Sequence, residues 1–151
     1  MRKLLVGFVC AAAMAVPSVS PAQQQEGWSY AYVEGVATAT LRDNRGRVTA
    51  TLTCRPPTGD IVVTDYTLAR NARGASQASV RIGAMAVNVP MSLEGRGRNR
   101  AVVVNLPQRP PILAAVQPNE RLSVTVNNQT VTSADGGPAR MREVAYACWG
   151  S

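Results

Sequence analysis

The sequence predicts a mainly β domain: an antiparallel β-sandwich with a short C-terminal helix, stapled by one disulfide. Three observations carry this. Apolar residues recur with period two along most of the chain. Val48, Ala50, Leu52 and Cys54 alternate with Thr49, Thr51, Thr53 and Arg55, the pattern of a strand with one buried face. Gly, Pro and Asn punctuate the runs at short intervals. Only the last segment changes period: Met141, Val144, Ala145 and Cys148 fall at i, i+3, i+4 and i+7.

Ahead of the domain lies a signal for export. Arg2 and Lys3 precede an apolar run from Leu4 to Val16, which Pro17 ends. The run is shorter than the ~20 residues a membrane-spanning helix needs. Ser20 and Ala22 place small residues at −3 and −1 of a cleavage site. Residues 1–22 therefore read as a cleavable signal peptide, and 23–151 as a single domain, periplasmic or secreted. Cys10 leaves with the signal.

Within the domain, Ala31, Val33, Ala37, Ala39 and Leu41 share the odd face of an opening strand, with Gly35 as a bulge. Asp43-Asn44-Arg45-Gly46 turns the chain into the strand ending at Cys54, forming a hairpin. After Arg55-Pro56-Pro57-Thr58-Gly59, residues Ile61 to Leu68 read as a strand and 69–76 as a polar linker. Ala78, Val80 and Ile82 alternate. So do Met85, Val87, Val89, Met91 and Leu93, where Pro90 demands an edge or a bulge. Gly95 to Arg100 is a loop tip. Val102-Val103-Val104 is apolar on both faces, as in a central strand.

Ile112 to Val116 reads as one helical turn, Leu122 to Val126 as a strand, Asn127-Asn128 as a turn, and Thr130 to Thr132 as a short strand. Pro138 suits the first turn of the terminal helix. Val144, Tyr146 and Cys148 also alternate, which leaves a last strand as the competing reading of this segment.

Once the signal is removed, Cys54 and Cys148 are the only cysteines. An oxidising compartment favours their pairing. They lack the C-x-x-C spacing that would point to redox chemistry.

Pieces of the chain resemble small exported bacterial β-rich domains with one disulfide, including the type VI secretion-associated accessory family. They are Leu52-Thr53-Cys54 in an early strand, Pro111-Ile112-Leu113-Ala114-Ala115-Val116 before a strand, and Gly137-Pro138-Ala139 leading to Cys148. The resemblance implies a non-enzymatic envelope or secretion accessory role and carries over no functional residue.

Composition narrows the chemistry. The chain has no histidine, and its one lysine, Lys3, lies in the signal. A Ser/His/Asp triad and Ser-Lys chemistry are therefore excluded from the mature domain, and a disulfide-bonded cysteine cannot attack. Without histidine or an acidic cluster, a metal centre has poor ligands, and no cofactor motif is present. Paired carboxylates remain formally open through Asp60, Asp65 and Glu94, although solvated charges are the simpler reading. Asn128-Gln129-Thr130 matches a glycosylation acceptor by coincidence. The expectation is no enzyme.

Of the 16 basic residues, Arg2 and Lys3 go with the signal, leaving 14 arginines against nine acids. A GC-rich codon bias explains such arginine use. The functional alternative is an anionic partner, such as lipopolysaccharide, an acidic glycan or a membrane surface. Export disfavours nucleic acid.

Two clusters are candidate binding surfaces. Trp28, Tyr30 and Tyr32 share the even face of the first strand and would form an exposed ladder if the odd face is the core; the competing reading packs them against the C-terminal helix. Arg96, Arg98 and Arg100 occupy one glycine-rich tip and suit bidentate capture of phosphate or carboxylate. The leading expectation is a non-catalytic binding or accessory protein. The alternative is a periplasmic enzyme inhibitor that presents loop 95–100 to its target.

Overall fold

The computed structural model describes residues 27–54, 59–106, 117 and 120–149. The signal peptide and the helical turn expected at Ile112 to Val116 lie outside the described residues.

Nine strands and one helix follow in order: β1 (Gly27–Val33), β2 (Val36–Arg42), β3 (Val48–Cys54), β4 (Ile61–Asp65), β5 (Gln77–Ile82), β6 (Met85–Glu94), β7 (Ala101–Leu106), β8 (Leu122–Val126), β9 (Gln129–Thr132) and α1 (Gly137–Trp149). The fold is mainly β with a C-terminal helix. The helical period at Met141, Val144, Ala145 and Cys148 prevails over the strand alternative, and all four residues are buried.

The strands form one antiparallel sheet, ordered β1-β2-β3-β4-β7-β6-β5-β8-β9 and curled into a half-barrel. Two separate stacked sheets were expected. They are joined because β6 serves both halves. Its first part, Met85 to Pro90, pairs with β5, and its second, Met91 to Glu94, pairs with β7. Pro90 sits at the handover. It has no N–H to give a ladder, so a change of partner there costs no hydrogen bond.

β7 lies between β4 and β6 as a central strand, and Val102, Val103 and Val104 are all buried. The core fills the inside of the curl. Ala39, Leu52, Val63 and Val104 form one row across β2, β3, β4 and β7, and Val80 and Val124 come from the other half. α1 packs on β1, β2 and β3. Ala37, Ala39 and Ala50 lie on that face, and their small side chains let the helix approach closely. Cys148 is bonded to Cys54, with Cα atoms 5.9 Å apart. The bond ties the end of α1 to the end of β3. The Gly59 carbonyl lies 3.2 Å from Cys54 Sγ and accepts the Trp149 indole N–H at 3.3 Å.

Two expectations need correction. The opening strand is not one bulged strand but the hairpin β1–β2. Glu34 (φ 51°) and Gly35 (φ 77°) form its two-residue turn, with the paired left-handed angles of a type I′ turn. The reversal changes which residues share a face. Trp28 pairs with Leu41, Tyr30 with Ala39 and Tyr32 with Ala37. Directly opposed residues share a face, so the aromatics lie on the core side and Ala31 and Val33 on the exposed side.

The second correction concerns the strand expected to reach Leu68, which ends at Asp65. Asp65 Oδ1 accepts the Thr67 N–H (2.7 Å), the Leu68 N–H (2.9 Å) and the Thr67 hydroxyl (2.7 Å). This local cap turns the chain into a 3-10 turn over Leu68–Arg70.

Candidate functional site

The pairing directions fix where the loops gather. Since β2/β3, β3/β4, β4/β7 and β7/β6 are all antiparallel, the connections that leave the sheet at one end include three that carry arginine. These are the β2–β3 turn, the β4–β5 link and the β6–β7 tip. Each brings arginine. Together they border an open groove of about 890 Å³, lined by Arg47 from the first, Arg70 and Arg73 from the second, and Arg98 and Arg100 from the third. Tyr66, Thr49 and Thr67 form part of its wall. Among the described residues, no carboxylate lines it.

Each connection is held by local chemistry. Asp43 Oδ1 accepts the backbone N–H groups of Arg45 and Arg47, both at 2.9 Å, and its Oδ2 accepts Arg47 Nε–H at 2.8 Å. These contacts, led by the Arg47 backbone N–H, hold the Asp43 carboxyl below its ordinary value. They also neutralise Arg47.

In the β4–β5 link, Asp65 caps the 3-10 turn that ends at Arg70. Asn127 donates from Nδ2 to the carbonyls of Asn71 (3.0 Å) and Arg73 (3.3 Å). Asn127 and Asn128 form the β8–β9 turn, with φ of 48° and 64°. That turn therefore braces the segment between the two groove arginines.

In the β6–β7 tip, Gly95 has φ 77°, and a Cβ there would collide with the Asn99 carbonyl. Only glycine lets the tip fold back this tightly. Among the described residues, the guanidinium groups of Arg70, Arg73, Arg98 and Arg100 have no hydrogen-bonding or ion-pair partner.

Of the arginines singled out from sequence, Arg98 and Arg100 line the groove. Arg96 is exposed at the start of the tip and is not part of the lining. Arg47, Arg70 and Arg73 join them only through topology. The signal available in the sequence was that arginine recurs in alternate strand connections, which an antiparallel sheet sends to the same end.

The aromatic ladder breaks up. Trp28 is half-buried, packs against the core and donates Nε1–H to the Ala134 carbonyl at 3.3 Å. Gly137 starts α1 so close to this ring that a Cβ would sit 3.2 Å from Nε1. Only Tyr30 (37% exposed) and Tyr32 (55%) remain accessible.

Asp60 and Asp65 do not form a catalytic pair. Asp60 and Asp65 bracket β4, so five residues of strand, roughly 16 Å, separate them. The pair in a glycosidase stands at most about 9.5 Å apart. Asp65 is 5% exposed and committed to its cap. Glu94 is exposed and accepts the Ser92 hydroxyl.

Among the described residues, no three His, Cys, Asp or Glu side chains gather as a metal site, and no helix is long and apolar enough to cross a membrane. A small apolar cavity beside Trp28, Ala50, Val63 and Leu122 measures about 30 Å³, the room of about one water molecule. Of these two cavities, the arginine groove has the size and charge to hold a ligand. No protein-family model, curated protein or solved structure matches this chain.

Proposed function

We propose that the chain is an exported, non-catalytic binding protein of the bacterial envelope, and that it captures an anionic glycan component in the arginine groove. The observation that carries this reading is the convergence of five arginines on one groove with no carboxylate among the described lining residues. Guanidinium groups bind phosphate and carboxylate through paired N–H donors, and clustered positive charge raises the local concentration of anions. The Cys54–Cys148 bond fits an oxidising compartment, as does the signal-like sequence of residues 1–22. A secretion accessory role is a narrower form of the same proposal.

The inhibitor reading needs loop 95–100 to project as a free probe. Arg98 and Arg100 instead line the groove, which favours capture by the groove over presentation by the loop.

The test is binding of the mature protein to lipopolysaccharide micelles at low and high salt, alongside Arg98→Ala/Arg100→Ala. Capture that weakens with salt and with the double substitution is expected. Binding that ignores both, or no binding to any anionic envelope glycan, rejects the proposal.

A further inference from the structure

We infer that the groove takes a sugar carrying two phosphomonoester groups, one held by Arg70 and Arg73 and the other by Arg98 and Arg100. This deepens the binding reading above and rests on it.

The count of uncompensated charges is the first support. Arg47 is spent on Asp43 through Nε and Nη2. The four remaining arginines have no carboxylate partner among the described residues. They come as two pairs on two separate connections, each pair carrying a charge of +2. A phosphomonoester carries about −1.5 to −2 at neutral pH, so one such group matches one pair. A carboxylate or a sulfate half-ester supplies a single charge and would leave half of each pair uncompensated. Oxygen count points the same way. A carboxylate offers two oxygens, which one guanidinium fork occupies, whereas a phosphomonoester offers three and can engage two forks.

The remaining wall of the groove supports a sugar as the spacer. Tyr66 is half-buried there, and Thr49 and Thr67 add hydroxyls to the lining, that of Thr49 donating to the Leu41 carbonyl at 3.4 Å. Thr67 spends its hydroxyl hydrogen on Asp65, so its oxygen is left as an acceptor for a sugar O–H. A groove of about 890 Å³ falls within the several-hundred-Å³ range of ligand sites and far exceeds the needs of a lone phosphate.

The connections that carry the two pairs are each braced, by Asp65 and Asn127 on one side and by the Gly95 turn on the other. The arginines therefore project from fixed backbone, which lowers the ordering cost of binding.

Calorimetric titration of the mature protein with a hexose bisphosphate, the matching monophosphate and trigalacturonate tests the inference. One bisphosphate per chain is expected. Its affinity should exceed that of the monophosphate by about 10- to 100-fold, the value of a second charge-assisted contact. Arg73→Ala and Arg98→Ala should each bring the bisphosphate down to the monophosphate level at an unchanged melting temperature. Arg96→Ala should change nothing.

Lipopolysaccharide micelles displaced by the bisphosphate identify a glycolipid headgroup as the source. Binding of the bisphosphate without binding of micelles identifies a soluble sugar phosphate. Both outcomes support the inference. Trigalacturonate binding as tightly as the bisphosphate overturns it while leaving the broader binding reading in place. Failure of every anion overturns both.

Discussion

Replacing both cysteines by alanine removes the covalent tie between β3 and α1, and its cost can be worked from the chain. The bond links residues 94 apart in sequence. Loop-closure entropy for a loop of that length is about 15.6 cal/mol/K, or ~4.7 kcal/mol at 25 °C. A domain of roughly 125 residues unfolds with an entropy of about 0.26 kcal/mol/K. The expected fall in melting temperature is therefore ~18 °C. Both sulfurs are buried, so the void left by the double substitution adds to this. The assay is thermal unfolding of Cys54→Ala/Cys148→Ala beside the oxidised parent, followed by circular dichroism. A fall of less than ~5 °C would refute the reasoning, because the unfolded state would then gain little from losing the tie.

Further outcomes follow from single residues. Glu34 holds a left-handed conformation that costs a non-glycine residue ~1–2 kcal/mol; Glu34→Asn should recover about 0.5–1 kcal/mol, and an unchanged or lower midpoint in urea would count against the turn assignment. Asn127→Gly keeps the left-handed backbone but deletes the two hydrogen bonds to the Asn71 and Arg73 carbonyls; a loss of ~1 kcal/mol and weaker anion capture are expected, and unaltered capture would show that the β8–β9 turn does not brace the groove. The Asp43 carboxyl is held low chiefly by the Arg47 backbone N–H, so its contribution is complete above the ordinary value of 3.8 and is lost as pH falls through its lower folded-state value. An NMR titration of that carboxyl should give a midpoint under 3.8; a midpoint at or above it contradicts the contact.

Most of the β architecture was legible because its evidence is local. β3 alternates residue by residue, and its threonine face needs no knowledge of the partner strands. Val102 to Val104 read as a central strand because both faces are apolar, and β7 is central. The helical stripe ending at Cys148 competed with an alternation of Val144, Tyr146 and Cys148, and the structure decides for the helix; the bond to Cys54 followed from there being no other cysteine in the domain.

What escaped was decided by backbone angles or by topology. Glu34-Gly35 lacks the Asn or Asp that advertises a two-residue hairpin turn, so two strands read as one, and the parity error carried Trp28, Tyr30 and Tyr32 to the wrong face. Asp65 looked like a strand residue or a candidate acid, because its cap depends on three donors just downstream. Pro90 announced an irregularity but not that β6 changes partners there. Arg98 and Arg100 were visible as a cluster. Arg47, Arg70 and Arg73 were not, since only the antiparallel order brings their three connections to one end.

The central claim is that anions bind in the arginine groove. The most direct measurement is an NMR titration of the isotope-labelled mature protein with a hexose bisphosphate, following every backbone amide and arginine side chain. The account predicts saturable shifts confined to Arg70–Arg73, Gly97–Arg100 and the neighbouring Tyr66, with none at β1. Shifts centred on Tyr30 and Tyr32, or small shifts spread over all the surface arginines alike, would contradict it.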